Sequence, residues 1–525
     1  MKTSLTGRAA LRVAVLLLVT SMVMAACGAS KPAATPSATG AWLYPNGDLA
    51  NTRNAVGSTI TLANVSKLAQ AWTFQLPGVA ACSPLCGVQG YGSLAAAPIV
   101  AHGVVYIQDL DSNVYALALT SGNLKWEYQA NAPEKSGPGP NGVAVVDGVV
   151  YGDTPTSAFA LNAATGKTIW VNSTLLSAGQ GTFGIQPQVA NGRVYLASQY
   201  GSGPGGGVLL ALNASTGDAL WKFNTVIGVA PGVQAIGLGS GGAWETPLVG
   251  ADGSVTYGIG NPYQSPAAAI AHPEAQLYTD SEVNLDATTG KLRWYYQGVP
   301  NDFKDYDMQA SPIAASVNGV AVVIGSGKMG IVYEMNAATG KLIWKTPVGV
   351  HNGHDNDSLQ ALEHTSTLKA PFTILPGSLG GVLTNMALEG DTLYVVTSDL
   401  PITFTTMNQV DGSGASAASG EVEALNLATG AVEWDTKVAG MPLGAATVSN
   451  DLVFTTLFHG TLIALNRATG AIVSRVQLPT STNAPIAIVG NTVIVPAGGP
   501  TTSANPLSTS GAGEGNPQVV AYTVP

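Results

Sequence analysis

Leu161-Asn162-Ala163-Ala164-Thr165-Gly166-Lys167-Thr168-Ile169-Trp170 is the stretch on which the reading of this chain turns: an apolar residue, an Asn, two small residues, Thr-Gly, and a Trp four positions after the glycine. Asn can bond its own backbone two residues on and Gly supplies a positive φ, so the phrase predicts a tight strand reversal. The same phrase, with Asp for Asn or Met for Leu, stands at Leu212…Trp221, Leu285…Trp294, Met335…Trp344 and Leu425…Trp434. A degenerate copy runs from Leu119 to Trp126, and the last, at Leu465-Asn466…Thr469-Gly470, carries Ser474 where the Trp is expected, which makes seven in all.

Around each phrase lie short apolar runs such as Gly148-Val149-Val150-Tyr151 and Asp451-Leu452-Val453-Phe454, which read as strands. Repeats of this kind at roughly 40–50 residues predict a β-propeller. The recurring Trp is read as a plug between neighbouring sheets, and the longer spacings, Trp221 to Trp294 and Trp344 to Trp434, as loops. Ala71-Trp72-Thr73-Phe74 has the tail of the repeat without its front, and Val519-Val520-Ala521-Tyr522 the front without its tail. Joined, they make one shared blade, which leaves no open sheet edge. The expected fold class is therefore all-β, an eight-bladed propeller over 41–525 closed by its two ends.

Composition agrees with a large, turn-rich folded body: 525 residues with 64 Gly, 31 Pro and 46% hydrophobic residues. Charged residues make up only 10% and the net charge is -10, with no basic run to meet a phosphate backbone, so nucleic-acid binding is excluded. Gly166-Lys167-Thr168 mimics the end of a phosphate-binding loop, but Leu161 stands where the first Gly is required.

The N-terminus reads as an address. Lys2, Arg8 and Arg12 precede the apolar run 13–24, and Ala25-Ala26 precede Cys27, the pattern of a secretory signal over 1–26. Met24-Ala25-Ala26-Cys27 resembles a bacterial lipobox, which implies lipidation at Cys27 and an exported protein anchored by its lipid to the cell membrane or outer membrane, facing the periplasm or exterior. Residues 27–40 are small and polar and suit a flexible tether. The remaining cysteines, Cys82 and Cys86, are expected to form a local disulfide outside the cytoplasm.

Three further segments stand outside the repeat: Gly241-Gly242-Ala243-Trp244, Gly258-Ile259-Gly260-Asn261-Pro262, and Pro300-Asn301-Asp302-Phe303-Lys304-Asp305-Tyr306-Asp307. Residues i and i+2 of an extended chain face one side, so Asp305 and Asp307 would repel unless a cation lies between them. With the repeat, these segments resemble the PQQ-binding-like propellers, the quinoprotein alcohol dehydrogenases in particular. The opening Trp42-Leu43-Tyr44-Pro45-Asn46-Gly47 looks like the start of such enzymes. The resemblance implies Trp244 as the floor under pyrroloquinoline quinone (PQQ) and Lys328, in Gly325-Ser326-Gly327-Lys328, as a cation beside the quinone. It also implies Asn261, Asp305 and Asp307 as ligands of Ca²⁺ or a lanthanide, and Asp305 as the catalytic base. The implied partners are an alcohol, polyol or sugar as substrate and a cytochrome as electron acceptor, with the membrane reached only through the lipid.

The chain also departs from that family. No acid occurs in 198–204, where a metal-binding Glu is expected, or in Ala95-Ala96-Ala97-Pro98, where a quinone-contacting Glu is expected. Asn141 stands near the place of a cofactor-binding Arg, Leu383-Thr384 replaces an Asn-Trp contact with Asn385 close by, and Cys82 and Cys86 are not adjacent. A non-catalytic propeller serving as a protein-binding scaffold at the cell envelope stays open as the alternative. Lastly, His351, His354, Asp355 and Asp357, with His364 downstream, offer a second metal site or a crosslink of a long surface loop.

Overall fold

In a computed structural model of the chain the described residues are 40–77, 93–132, 141–199, 201, 206–227, 240–274, 276–413, 418–499 and 516–525. Cys27, Cys82 and Cys86 lie outside them. Every described residue falls within one compact unit.

Among the described residues, eight antiparallel meanders of four strands, one of them extended by Thr182–Phe183, account for nearly all of the regular structure. In chain order the blades cover 99–128, 144–172, 188–224, 248–297, 313–347, 387–438 and 447–477, and the eighth joins 487–523 to Ala69–Gln75. The closure is the expected one: Trp72 pairs with Ala521 and Phe74 with Val519, so the N-terminal strand supplies the missing outer edge of the last blade. The first strands of successive blades adjoin one another, which places them round the axis. Strand burial follows from that arrangement. Middle strands such as Leu452–Leu457 are buried along their whole length, whereas last strands such as Ile472–Gln477 alternate between half-buried and exposed residues.

The repeated phrase is the turn between the third and fourth strands of a blade, and its conservation of form has a packing cause. In Leu161–Trp170, Asn162 Oδ1 accepts from Ala164 N, Thr165 N and Thr165 Oγ1, and Gly166 N returns to Asn162 O at 2.8 Å. Gly166 has φ +69, and a side chain there would strike Trp126 of the preceding blade at 2.6 Å. That Trp also donates its Nε1–H to Ala163 O at 2.9 Å. Each Trp thus docks on the Thr-Gly turn of the next blade; Trp294 on Gly340, donating to Ala337 O, is another instance. Ser474 now has a reason. The blade that follows it is the composite one, whose third and fourth strands come from opposite ends of the chain with no Thr-Gly turn between them, and Val65–Lys67 packs on Ile472–Gln477 instead.

The long spacings are not loops alone. Between Trp221 and Trp294 lies the short helix Pro266–Ala271, capped by Ser265, and between Trp344 and Trp434 lie the helix Asp357–Leu362 and the hairpin of Phe372–Ile374 with Ile402–Phe404. The two helices pack together, and Phe372 stacks on Phe404 at 5.0 Å. No helix among the described residues is long and apolar enough to cross a membrane.

Segment 42–55 runs across the first strands of several blades. Trp42 bonds Val100 in both directions, Ala50 O accepts from Ala314 N, Thr52 O from Leu388 N, and Arg53 O from Val448 N. Arg53 is fully buried and spends its guanidinium on Ala446 O, Thr447 Oγ1, Ile486 O and Asn46 Oδ1. A buried cation so completely hydrogen-bonded works as a clamp on the ring's inner strands.

Candidate functional site

The site is built where 298–312 leaves the fourth blade and enters the fifth. Asp302 folds this connection, its carboxylate accepting the backbone N–H of Lys304 (3.1 Å) and of Tyr306 (2.9 Å). Tyr306 is anchored at its hydroxyl to Pro376 O at 2.7 Å, and Lys304 donates to His354 O at 2.6 Å. Asp305 is thereby held at φ +60. A non-glycine residue in that region costs on the order of 1 kcal/mol, and such strain concentrates at functional sites. The two acids do not share a face through extended strand geometry, as the i, i+2 spacing suggests; a turn brings them together.

Asp305 and Asp307 meet a cation from within the chain. Lys328 Nζ lies 2.9 Å from Asp305 Oδ2 and 2.6 Å from Asp307 Oδ2. Asn261 completes the cluster: its backbone N–H and Nδ2 bond Asp307 Oδ1 at 2.8 and 3.0 Å, and Nδ2 also bonds Asp305 Oδ1. Trp244 joins from the other side. A side chain built at Gly260 would lie 2.4 Å from Asp307 Oδ1 and 3.1 Å from Trp244 Nε1, so glycine at 260 is what lets the indole and the carboxylate approach. All five residues singled out from the sequence, Trp244, Asn261, Asp305, Asp307 and Lys328, are therefore neighbours.

The electrostatics set their proton affinities. Burial pushes the Asp305 carboxyl well above the usual carboxylate range, Lys328 opposes this, and the like charge of Asp307 adds to it. Burial works against the Lys328 ammonium, but the two aspartates outweigh it and hold its pKa well above that of a free lysine. Asp307 is fully buried, and its Oδ2 has no aligned hydrogen bond although it is ion-paired with Lys328. Two carboxylates against one ammonium leave an excess negative charge. Asn261 turns its Nδ2 to the aspartates and its Oδ1 to Tyr263 N, so the oxygens that fit a hard cation once Lys328 moves aside are those of Asp305 and Asp307, and Asn261 joins them only when its amide turns over.

The expected gaps are filled by neutral groups. Ser198 Oγ accepts from Val208 N and Gln199 Nε2 donates to Gly184 O, so the place of a fourth ligand is spent on the fold. Beside Ala97, Gln186 bonds the backbone of Ala97 at both N and O, and Asn141 Nδ2 donates to Asp109 O. The histidine loop does not gather its ligands. His351 Nδ1 pairs with Asp355 and its Nε2 faces Gly330 O and Val348 O, while His354 Nδ1 pairs with Asp357, both carboxylates at 2.7 Å. No three acid or histidine ligand atoms of this loop come within 4.8 Å of one another. Its contacts with Gly330 and Lys304 make it a brace behind the Lys328 turn and the Asp305 loop.

Several acids were not singled out in the sequence. Glu245, next to Trp244, accepts from Asn385 Nδ2 at 3.2 Å, and burial lifts its pKa to about 8 against the pull of Asn385 and Arg53. Asp280 and Glu282 are fully buried with no hydrogen-bond partner for either carboxylate oxygen, and burial raises both well above the normal range. An acid in an apolar run was the available signal for Glu245. Nothing local marks Asp280 or Glu282, which sit in an ordinary strand entry.

A family model described as the glucose/ethanol/alcohol dehydrogenase β-propeller domain matches residues 42–145 and 185–349, just over half of the chain. A second, described as the outer membrane protein assembly factor BamB, matches 418–512. A quinohemoprotein alcohol dehydrogenase of Comamonas testosteroni is 28% identical over 346 residues, covering 59% of this chain and 47% of its own. The chain spans about half the length of several curated relatives it matches. Among solved structures, a quinohemoprotein alcohol dehydrogenase of Pseudomonas putida superposes with a TM-score of 0.76 at 22% identity, over 92% of this chain and 80% of that one. A europium-containing methanol dehydrogenase gives 0.69 at 19% identity, over 92% and 98%. The last two show the fold. By the extent of the family match, the chain belongs to the PQQ-binding β-propeller family.

Proposed function

We propose that this protein is a divergent quinoprotein dehydrogenase that oxidises alcohols, polyols or sugars outside the cytoplasm. The observation that carries the reading is the Asp305 carboxylate, strained, desolvated and gripped by Lys328 and Asn261 beside the indole of Trp244. When bound, PQQ supplies a two-electron acceptor, and a Ca²⁺ or lanthanide ion held by Asn261, Asp305 and Asp307 supplies Lewis-acid polarisation. The chain's own residues do the rest. Asp305 takes the hydroxyl proton of the substrate, a task for which a raised carboxylate pKa is suited. Lys328 keeps part of Asp305 ionised and offers positive charge where negative charge develops on the acceptor. Trp244 offers a flat face for stacking, and Asp307, tied to Asn261, keeps the cluster anionic enough to retain a cation.

Export by the segment 1–26, lipid attachment at Cys27, a tether over 27–40 and electron delivery to a cytochrome belong to the same proposal. The curated relatives support the kind of chemistry: one is an alcohol dehydrogenase (quinone) subunit of Gluconobacter oxydans and another a lupanine 17-hydroxylase [cytochrome c] of a Pseudomonas species. The test is PQQ titration of the protein lacking its tether, with Ca²⁺, with La³⁺ and with chelator, read by tryptophan fluorescence. Saturable, metal-dependent binding lost in the Asp305→Ala/Asp307→Ala double variant is expected; no binding under any metal overturns the proposal. One observation favours the scaffold reading instead: Ser198 and Gln199 spend the fourth ligand position on internal hydrogen bonds. Under it, Asp305→Asn leaves every function intact.

A further inference from the structure

A second oxygen-lined seat lies away from the axial cluster, on the face of the sixth blade that meets the fifth. Glu421 and Glu423 stand two apart on Ser419–Asn426, and Glu423 is paired across the sheet with Asp435 on Val432–Val438. Directly paired residues share a face. Carboxylate oxygens of Glu421, Glu423 and Asp435 all lie within 4.8 Å of one another. Glu421 is also paired with Thr397, on the strand to its other side.

Acids alone would say little, but a buried hydroxyl here lacks a partner. Thr397, 1% exposed, leaves Oγ1 without a hydrogen bond, while Glu423, 5% exposed, meets the carboxyl of Glu421. The preceding blade confirms where these groups point. Gly349 N donates to Glu423 Oε1 at 3.2 Å, and a side chain built at Gly349 would lie 3.1 Å from Thr397 Oγ1. The hydroxyl and the carboxylate thus converge on the same turn. One cation is present: Lys437 Nζ touches Glu421 Oε1 and lies 3.0 Å from Asp435, but its side chain is 65% exposed. Its exposed side chain has room to turn into water, and the three carboxyl groups outnumber it. Burial lifts the Glu423 carboxyl to about 8, with the charge of Glu421 adding to it, so a bound cation must displace that proton.

We propose that Glu421, Glu423, Asp435 and the Thr397 hydroxyl form a Ca²⁺ site that pins the sixth blade to the Gly349 turn of the fifth, with Lys437 swinging into solvent when the ion binds. The donors are all oxygen, the spacing suits ligand contacts of roughly 2.3–2.6 Å, and half-exposed Asp435 leaves room for the water ligands that Ca²⁺ takes. The site shares no residue with Asn261, Asp305 and Asp307, so it stands whether or not the axial cluster binds a metal.

The experiment is calorimetric titration of the metal-stripped protein with CaCl₂, with thermal unfolding alongside. Asp307→Asn removes the axial contribution, and in that background one Ca²⁺ equivalent and a rise in Tm of a few degrees are expected, since a ligand bound only by the native state stabilises it. Glu423→Gln on top abolishes both. Lys437→Ala, which removes the competing ammonium, tightens binding by roughly tenfold. Should Glu423→Gln fail to fold, Asp435→Asn, at a part-exposed position, gives the same loss. The proposal is overturned if the Asp307→Asn protein shows no Ca²⁺ response, in which case a proton held between Glu421 and Glu423 takes the metal's place. It is equally overturned if neither Glu423→Gln nor Asp435→Asn reduces the response.

Discussion

The rim and the axial site of this propeller are made by opposite means. At the rim, one local phrase is repeated: Asn162 closes its own turn, Gly166 admits Trp126, and the indole N–H finds Ala163 O. At the site, no two of Trp244, Asn261, Asp305 and Lys328 belong to the same short segment, and none lies in a copy of the phrase. The rim is redundant, because losing one dock leaves the others. The site is not, because each residue is present once. The lesson is that stability is distributed round the ring, whereas chemistry depends on a strained turn that the ring must hold.

Substitutions sharpen that contrast. Asp305→Asn should lower kcat/KM by about 10²–10⁴, the usual worth of a positioned general base, with the circular dichroism of the folded protein retained. If turnover survives, the site is not catalytic and the comparison fails on that side. Trp294→Ala should cost about 3–5 kcal/mol of unfolding free energy, as loss of a packed Trp does, with activity per folded molecule retained; denaturant titration and active-fraction assay check it. A simultaneous loss of kcat would mean that rim and site are coupled.

Charge makes the next test. For Asp305 the direction is upward from an ordinary carboxylate, so activity requiring its ionised form rises with pH through a midpoint above the normal range. Lys328→Ala removes the group that opposes this, and the limb should move alkaline by about 1–3 units. A limb that stays in place, measured as kcat/KM against pH, would show that Asp305 is not the titrating base.

Buried carboxylates also give the fold a pH slope. Glu245 sits at about 8 in the folded protein, well above its value in the unfolded chain, so the unfolded state releases its proton first as pH rises. Its contribution is full below about 4.5 and is lost towards pH 8. Unfolding free energy measured across that window should fall, and Glu245→Gln should flatten the curve. Ser474→Trp comes last: half-buried Ser474 faces no Thr-Gly turn and Val65–Lys67 packs on its strand, so the ring should bring no gain in unfolding free energy. A gain of several kcal/mol would refute the docking account of the repeat.

Much of the site was readable before the structure because glycine-rich turns and paired acids stand out against a chain with only 10% charged residues. The demand for a cation between Asp305 and Asp307 was legible in this way, whereas Asn261 and Lys328 came only through the resemblance to the PQQ-binding-like propellers. That this cation is Lys328 itself was not legible, nor was the replacement of a fourth ligand by Ser198 and Gln199, since both depend on how separate blades meet. For the histidine loop, of the two readings left open, the geometry favours the crosslink, for a related reason. His351 and His354 each have a carboxylate within four residues, and short-range pairing satisfied them before any common centre formed.

By itself the sequence determined the number of blades, the shared closing blade and the place of each turn, because those are set by local hydrogen bonds and by a repeat that must bury its strands against the next copy. Only the tertiary structure decided which acids share a cation, why Ser474 is no lapse, and that Glu421, Glu423 and Asp435 face one another across strands. Contacts between distant segments depend on strand register and blade order, and Coulomb interactions among buried groups depend on distances that no local pattern encodes.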